Sequence, residues 1–164
     1  MKQVVFKGTH LSLPPTFRTL SGSFEIEYTF DLPRDGYEVD KENQENQEDW
    51  LKLIGVKPYY FHPHISSRMI GFRWDVEMMR YEFCFYWHEK DGSKHYTKPV
   101  TSSWGFIRVR ITRDIRLGGM LIMQVGDVKM PFTWEPGRMY LINTWWGGTV
   151  GMPRTMIYDR NKIL

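Results

Sequence analysis

The fold of this chain is decided by the stretch YEFCFYWHEKDG, residues 81–92. Large aromatic rings occupy every second position of its first seven residues, at Tyr81, Phe83, Phe85 and Trp87. Successive side chains of a β-strand point to opposite faces of a sheet, so these four rings share one face. Asp91-Gly92 then supplies a hairpin turn. The stretch therefore predicts a strand with one aromatic, buried face, followed by a return strand.

The same period-two alternation recurs along the chain. Further predicted strands occupy residues 24–30, 69–74, 94–100, 106–111, 120–125, 128–132, 139–146 and 156–158. Aromatic residues make up 16% of the 164 residues, and alanine, the best helix former, is absent from the sequence. Many short strands with apolar faces pack as two antiparallel sheets, face to face. We expect an all-β fold, an antiparallel β-sandwich, as a single domain over residues 1–164.

Two segments depart from this pattern. One short helix is predicted near residues 46–54, with Asn46 capping its start and Gly55 marking its end. Residues 35–49 carry seven acidic side chains against Lys41 alone, and they predict an acidic surface loop. That segment has a net charge of −6, so the rest of the chain sums to +9 within the overall +3.

Cys84 is the only cysteine of the sequence, so it has no partner within the chain. It lies in an apolar run, which predicts a small buried hydrophobe. Residues 1–15 lack the long apolar stretch of a signal peptide, and no apolar run approaches the length of a membrane span. These features together favour folding in a reducing cytoplasm.

Two pairs of carboxylates have the spacing that a retaining glycosidase needs, because residues two apart on a strand bring their side chains close together. They are Glu25 with Glu27 and Asp75 with Glu77. The first pair alternates with apolar residues and is expected to face water, whereas the second lies at a predicted turn. We expect neither pair to be catalytic, and no catalytic residue is assigned.

The segment from Tyr59 through Tyr60 to His62 and His64 is the most unusual local stretch. The two histidines have a spacing that could hold a metal ion through their imidazole nitrogens. No cysteine lies nearby to complete a ligand set, and the nearest downstream acid is Asp75. We expect no metal site, and interpret the stretch as an interface or an end cap of the sandwich.

Basic and aromatic residues supply the other candidate contacts. Arg108, Arg110, Arg113 and Arg116 form a basic stripe in the sequence. Arg108 and Arg110 share the outer face of one strand. The net charge is small and no nucleic-acid-binding motif is present, so nucleic acid is not an expected partner. Of the neighbours Trp145 and Trp146, one must point inward and the other outward; we take Trp146 as the surface contact.

Four short motifs follow one another along the chain. They are Trp-x-Lys-Leu-x-Gly at residues 50–55, the two histidines at 62 and 64, a loose match to Ser-x-Arg-x-Gly-Trp-Arg-Trp at residues 67–74, and a Gly-Gly-x-x-x-x-Pro turn at 147–153. This order resembles small jelly-roll proteins encoded by tailed bacteriophages and prophages. The resemblance implies a concanavalin-like jelly roll.

The resemblance also implies a function: a non-enzymatic structural component of a phage particle, such as a decoration, auxiliary capsid or fibre-associated protein. Its partners would be virion or capsid proteins, in a homo-oligomer or on a symmetric shell. It would be located in the virion, and in the host cytoplasm during assembly. No cofactor and no membrane partner are expected.

Two alternatives remain open. One is a carbohydrate-binding module that recognises a host-surface glycan through its aromatic residues, and the other is a glycan-cleaving enzyme. The residues expected to contact a protein partner or a glycan are Tyr59, Tyr60, His62, His64, Arg108, Arg110 and Trp146.

Overall fold

The computed structural model describes residues 2–8, 12–13, 18–38, 47, 49–58, 65–134, 137–142 and 156–163. Within these ranges the chain forms fourteen strands. They are β1 (Lys2–Val5), β2 (Ser12–Leu13), β3 (Arg18–Leu20), β4 (Phe24–Asp31), β5 (Leu51–Lys57), β6 (Arg68–Asp75), β7 (Arg80–His88), β8 (Lys94–Tyr96), β9 (Thr101–Ser103), β10 (Phe106–Asp114), β11 (Met120–Val125), β12 (Val128–Phe132), β13 (Met139–Ile142) and β14 (Met156–Ile163). A 3-10 turn at Ile115–Leu117 joins β10 to β11.

The strands form two sheets of seven, and every recorded strand pair is antiparallel. Sheet A has the order β12-β11-β10-β4-β14-β1-β2. Sheet B has the order β3-β13-β5-β6-β7-β8, and β9 also pairs with β7. Strands distant in sequence, such as β4 and β14, lie side by side, so the sheets tie the two halves of the described chain together.

The inner faces of the two sheets build one apolar core. Sheet B contributes the alternate residues Tyr81, Phe83 and Phe85 that the sequence predicts to be buried, and each is at most 1% exposed. Sheet A contributes Ile26 and Phe30 from β4 to the same cluster. The prediction of an all-β antiparallel sandwich is therefore confirmed.

The predicted helix near residues 46–54 is wrong from residue 51 onward. Leu51–Lys57 is strand β5, hydrogen-bonded between β13 and β6 in the middle of sheet B. All seven of its residues are buried. A short apolar run buried on all sides has no period that separates a helix from a strand, and here pairing with two neighbouring strands decides. Asn46, its expected cap, lies outside the described residues.

The turn between β6 and β7 agrees with the sequence. The Asp75 carboxylate accepts hydrogen bonds from the backbone N–H groups of Glu77 and Met78, at 3.1 Å each. This contact holds the turn that the sequence predicts at the second acidic pair. Over the described ranges, no helix is both long and apolar enough to cross a bilayer.

Candidate functional site

The outer face of sheet B, turned away from the core, carries an unusual set of side chains. Strand alternation and register assign its members. On the three central strands they are Lys52, Gly55 and Lys57 of β5, Met69, Gly71 and Arg73 of β6, and Glu82, Cys84, Tyr86 and His88 of β7. Tyr96 of the edge strand β8 lies opposite Tyr86 and extends the face outward. Trp50, just before β5, joins Cys84 and Tyr86 in a small apolar cluster separate from the main core.

Buried polar groups concentrate on this face. Eight polar or charged residues are buried in the described part of the chain, and four of them belong to the outer face of sheet B or its margin: Lys52, Lys57, Ser67 and His88. Burying a charged group is unfavourable unless its surroundings compensate. Such a concentration on one sheet face marks a candidate functional site.

Lys52 lies at the centre of the face and is 7% exposed. Its ammonium nitrogen sits 4.5 Å from the centroid of the Tyr86 ring, in a cation–π contact. Burial lowers the pKa of Lys52 to about 8, although the charge of Asp49 acts in the opposite direction. Burial likewise raises the pKa of Tyr86 to about 12. At neutral pH the site therefore holds a cation that titrates just above physiological pH, beside a protonated phenol.

Arg73 is the second cation of the face. Its guanidinium carbon lies 4.7 Å from the centroid of the Trp50 ring, and its Nε donates a 2.8 Å hydrogen bond to Glu82 on the neighbouring strand. The ion pair is partly buried, with 24% of the Arg73 side chain and 14% of the Glu82 side chain exposed. Each of the two cations thus rests on an aromatic ring.

Aromatic rings extend from Lys52 outward to the edge strand β8. Tyr86 and Tyr96 stack with their planes 8° apart and centroids 6.1 Å apart, and the Trp50 ring lies 6.3 Å from that of Tyr96. Next to Tyr86, His88 Nδ1 and the Ser67 hydroxyl form a 2.9 Å hydrogen bond. Flat rings and hydrogen-bonding groups beside cations suit a ligand that is both ring-shaped and anionic.

Gly71 makes room for this arrangement. A Cβ atom at this position would lie 2.9 Å from Cys84 Sγ and 3.5 Å from Trp50 Cβ. Gly71 faces Lys52 on one neighbouring strand and Cys84 on the other. Cys84 is fully buried as predicted, and burial raises the pKa of its thiol, which keeps it protonated.

The structure places Arg108 and Arg110 elsewhere, on the outer face of sheet A. Both contact Glu27: Arg108 pairs with its Oε1, and Arg110 NH2 lies 2.6 Å from its Oε2. Burial alone would raise the pKa of Glu27, but hydrogen bonds from Arg110 and Arg108 and their charges lower it overall. The expectation that Glu27 faces water is wrong, because the two arginines cover it. A carboxyl group whose pKa is lowered is a poor proton donor, which disfavours Glu27 as a glycosidase acid.

The basic stripe of the sequence is not a single surface. Arg113 points into the sandwich, is 6% exposed and donates to the carbonyl of Gly137 at 3.1 Å. Arg116 is exposed and pairs with Asp114.

Five of the expected contact residues, Tyr59, Tyr60, His62, His64 and Trp146, lie outside the described residues. Their assignment therefore stays a prediction. Among the residues that the structure does describe, no group of three or more His, Cys, Asp or Glu side chains is placed to hold a metal ion.

Sequence reasoning did not select Lys52, Arg73, Tyr86 or Tyr96. One signal was available: Lys52 interrupts the apolar run Leu51–Val56, a place where a lysine is rare unless it has a role. Arg73 and Glu82 became a pair only through the register of β6 and β7, which joins residues across a hairpin.

No family model matches this chain, and no curated protein matches it. Among solved structures it is similar to an alginate lyase of Pseudomonas aeruginosa, at 9% sequence identity and a TM-score of 0.53. The alignment covers 87% of this chain and 64% of the lyase, so the chain spans less than two thirds of the length of that enzyme. The likeness shows the fold, and it confirms the jelly-roll prediction.

The same comparison corrects one prediction. The chain was expected to be non-enzymatic because its sequence carries no recognisable catalytic motif. This solved structure, which is similar in fold, is that of an enzyme. At such low identity a catalytic set need not leave any shared motif in the sequence, so the lack of one does not support a non-enzymatic assignment.

Proposed function

We propose that this protein binds an acidic polysaccharide on the outer face of sheet B. The observation that carries the proposal is the seating of two cations, Lys52 and Arg73, on the aromatic rings of Tyr86 and Trp50. Sugar rings stack on aromatic side chains, and the carboxylates of uronic acids pair with ammonium and guanidinium groups. Both kinds of group occur on this sheet face, where the Tyr96 ring is 55% exposed.

The structural comparison supports the same ligand class. The similar solved structure is named as an alginate lyase, and alginate is a chain of uronic acids. The expected contribution of Lys52 is large, because a charge-assisted hydrogen bond in a buried site contributes about 1.5–3 kcal/mol.

Calorimetric titration with oligogalacturonates, with neutral cello-oligosaccharides of the same length as the reference, tests this proposal. We expect binding of the acidic chain only, and a loss of about tenfold or more in affinity for Lys52→Met. Arg110→Met is the matched control, since it removes a cation from the outer face of sheet A. Equal binding of both glycans, or equal effects of the two substitutions, would contradict the proposal. Size-exclusion analysis of the incubated oligosaccharide tests cleavage in the same samples.

The role in a phage particle that the sequence resemblance implies stays a prediction. Mass spectrometry of purified phage particles tests this prediction, and repeated absence of this chain from the particles would contradict it.

A further inference from the structure

We infer that one end of the outer face of sheet B holds an exposed subsite for a single acidic sugar unit, with Trp104 stacking on the sugar ring and Arg80 pairing with its carboxylate. This inference rests on the proposed function and adds to it a contact that solvent reaches directly. The residues belong to the end of the sheet where the β6–β7 turn lies.

The β6–β7 hairpin carries two positions where opposite charges face each other. Arg73 of β6 lies opposite Glu82 of β7, and the two form an ion pair. In the same register Arg80 of β7 lies opposite Asp75 of β6, where a second cross-strand ion pair is expected. No ion pair joins these two described residues. The Asp75 carboxylate instead accepts hydrogen bonds from two backbone N–H groups of the turn.

The Arg80 guanidinium is therefore left without a protein partner. Its Nε is buried and unpaired, and the side chain has no ion pair within the described part of the chain. Leaving a buried donor unpaired is unfavourable. A carboxylate is the group that the forked donors of a guanidinium match best. Because Arg80 is still partly exposed, a carboxylate from solution can reach it.

Trp104 supplies an exposed ring beside this cation. Ser103 of β9 pairs with Tyr81 of β7. Trp104 and Arg80 are the next residues of the two segments in the same direction, so they are neighbours at the end of the face. Trp104 is 70% exposed, and among the residues that the structure describes no ring or cation stacks on it. A sugar ring can therefore stack on the indole.

The backbone after Trp104 is held in place. The carbonyl of Gly105 accepts a 2.9 Å hydrogen bond from the N–H of Leu32, and its own N–H donates to the Ser103 hydroxyl at 3.2 Å. Gly105 has a φ of +112°, and a Cβ there would lie 2.4 Å from the Leu32 carbonyl oxygen, so only glycine fits. A ring exposed on a fixed backbone loses little freedom when a ligand binds, which favours a binding role.

Calorimetric titration with a galacturonate hexamer tests the subsite. We expect affinity to fall about fivefold for Trp104→Ala and about tenfold for Arg80→Gln. Phe106→Ala and Arg116→Gln are the matched controls and should bind as the native protein does. Phe106 is 63% exposed but lies on the outer face of sheet A, and Arg116 is already paired with Asp114.

The outcomes separate this inference from the proposed function. Native affinity in both Trp104→Ala and Arg80→Gln, with binding weakened in Lys52→Met, overturns the subsite and leaves the proposed function intact. An effect in only one of the two variants, or equal losses in the controls, also overturns the subsite. Failure of the native protein to bind any galacturonate oligomer overturns both.

Acrylamide quenching of tryptophan fluorescence gives a second readout, measured at saturating hexamer. The exposed Trp104 ring is open to acrylamide, and a stacked sugar would shield it. We expect the hexamer to reduce quenching in the native protein and to have much less effect in Trp104→Phe, which keeps the other tryptophans. Equal protection in the two proteins would show that the sugar does not cover Trp104, and would overturn its assignment.

Discussion

The cations on the outer faces of the two sheets lie in different electrostatic environments. On sheet A, Arg108 and Arg110 are half exposed and form ion pairs with Glu27 and Glu25. On sheet B, Lys52 is buried on an aromatic ring, and burial holds its pKa well below the usual value for lysine. The first arrangement stabilises the surface of the fold. The second keeps the ammonium group of Lys52 buried, which is unfavourable for folding. Such unfavourable burial is typical of functional sites.

Gly55→Val should have the largest effect, because it tests whether the outer face of sheet B is close-packed. A side chain there meets the Arg68 carbonyl oxygen and the backbone of Met69, neither of which can move cheaply. We expect a loss of about 3 kcal/mol in the free energy of unfolding, measured by urea denaturation. Gly118→Ala is the control: it has open space but a φ of +71°, and it should cost about 1 kcal/mol. Similar losses for both would mean that the face is loosely packed.

Lys52→Met sharpens the contrast between the two faces. Replacing a buried charge by an apolar side chain of similar length removes the desolvation penalty that lowers the pKa of Lys52. The free energy of unfolding at pH 7 should increase by about 2 kcal/mol, even though ligand binding is lost. Arg110→Met should be destabilising instead, because Glu27 then loses one of its two arginines. If both substitutions change the free energy of unfolding in the same direction, the proposed difference between the two faces is wrong.

The pH dependence of stability gives a smaller effect with a defined sign. Lys52 has a pKa of about 8 when folded and an ordinary value of 10.5. Between these values the unfolded chain binds more protons, so stability rises with pH. We expect a gain of about 1 kcal/mol from pH 8 to pH 9 in the native sequence relative to Lys52→Met. Parallel pH profiles of the two proteins in urea denaturation would show instead that Lys52 titrates normally.

Trp104→Ser should have the smallest effect. Trp104 is 70% exposed, so its removal should change the free energy of unfolding by no more than about 0.5 kcal/mol. Thermal unfolding measures this, and a larger loss would identify a packing role for the exposed ring.

The strands themselves could be predicted because alternation is a local property of the chain. Predicted strand 106–111 is contained in β10, and residues 120–125 and 128–132 are β11 and β12. The segment around Leu51 could not be assigned in the same way, since its residues are buried on both faces and only its position in mid-sheet makes it a strand.

The candidate site was beyond local reasoning for a related reason. Exposure was inferred for Glu27 from its neighbours in sequence, whereas its surroundings are set by Arg108 and Arg110, more than eighty positions away. Likewise, nothing near Lys52 in the sequence indicates that Tyr86 lies beneath its ammonium group.

The sequence by itself determined the class of fold, because side-chain alternation and the supply of aromatic residues suffice to specify strands with one buried face. The tertiary structure alone decided which charges are neutralised and which are held apart from water. That outcome depends on strand order and register, which bring together residues that no local pattern connects, and on how completely each sheet face is covered.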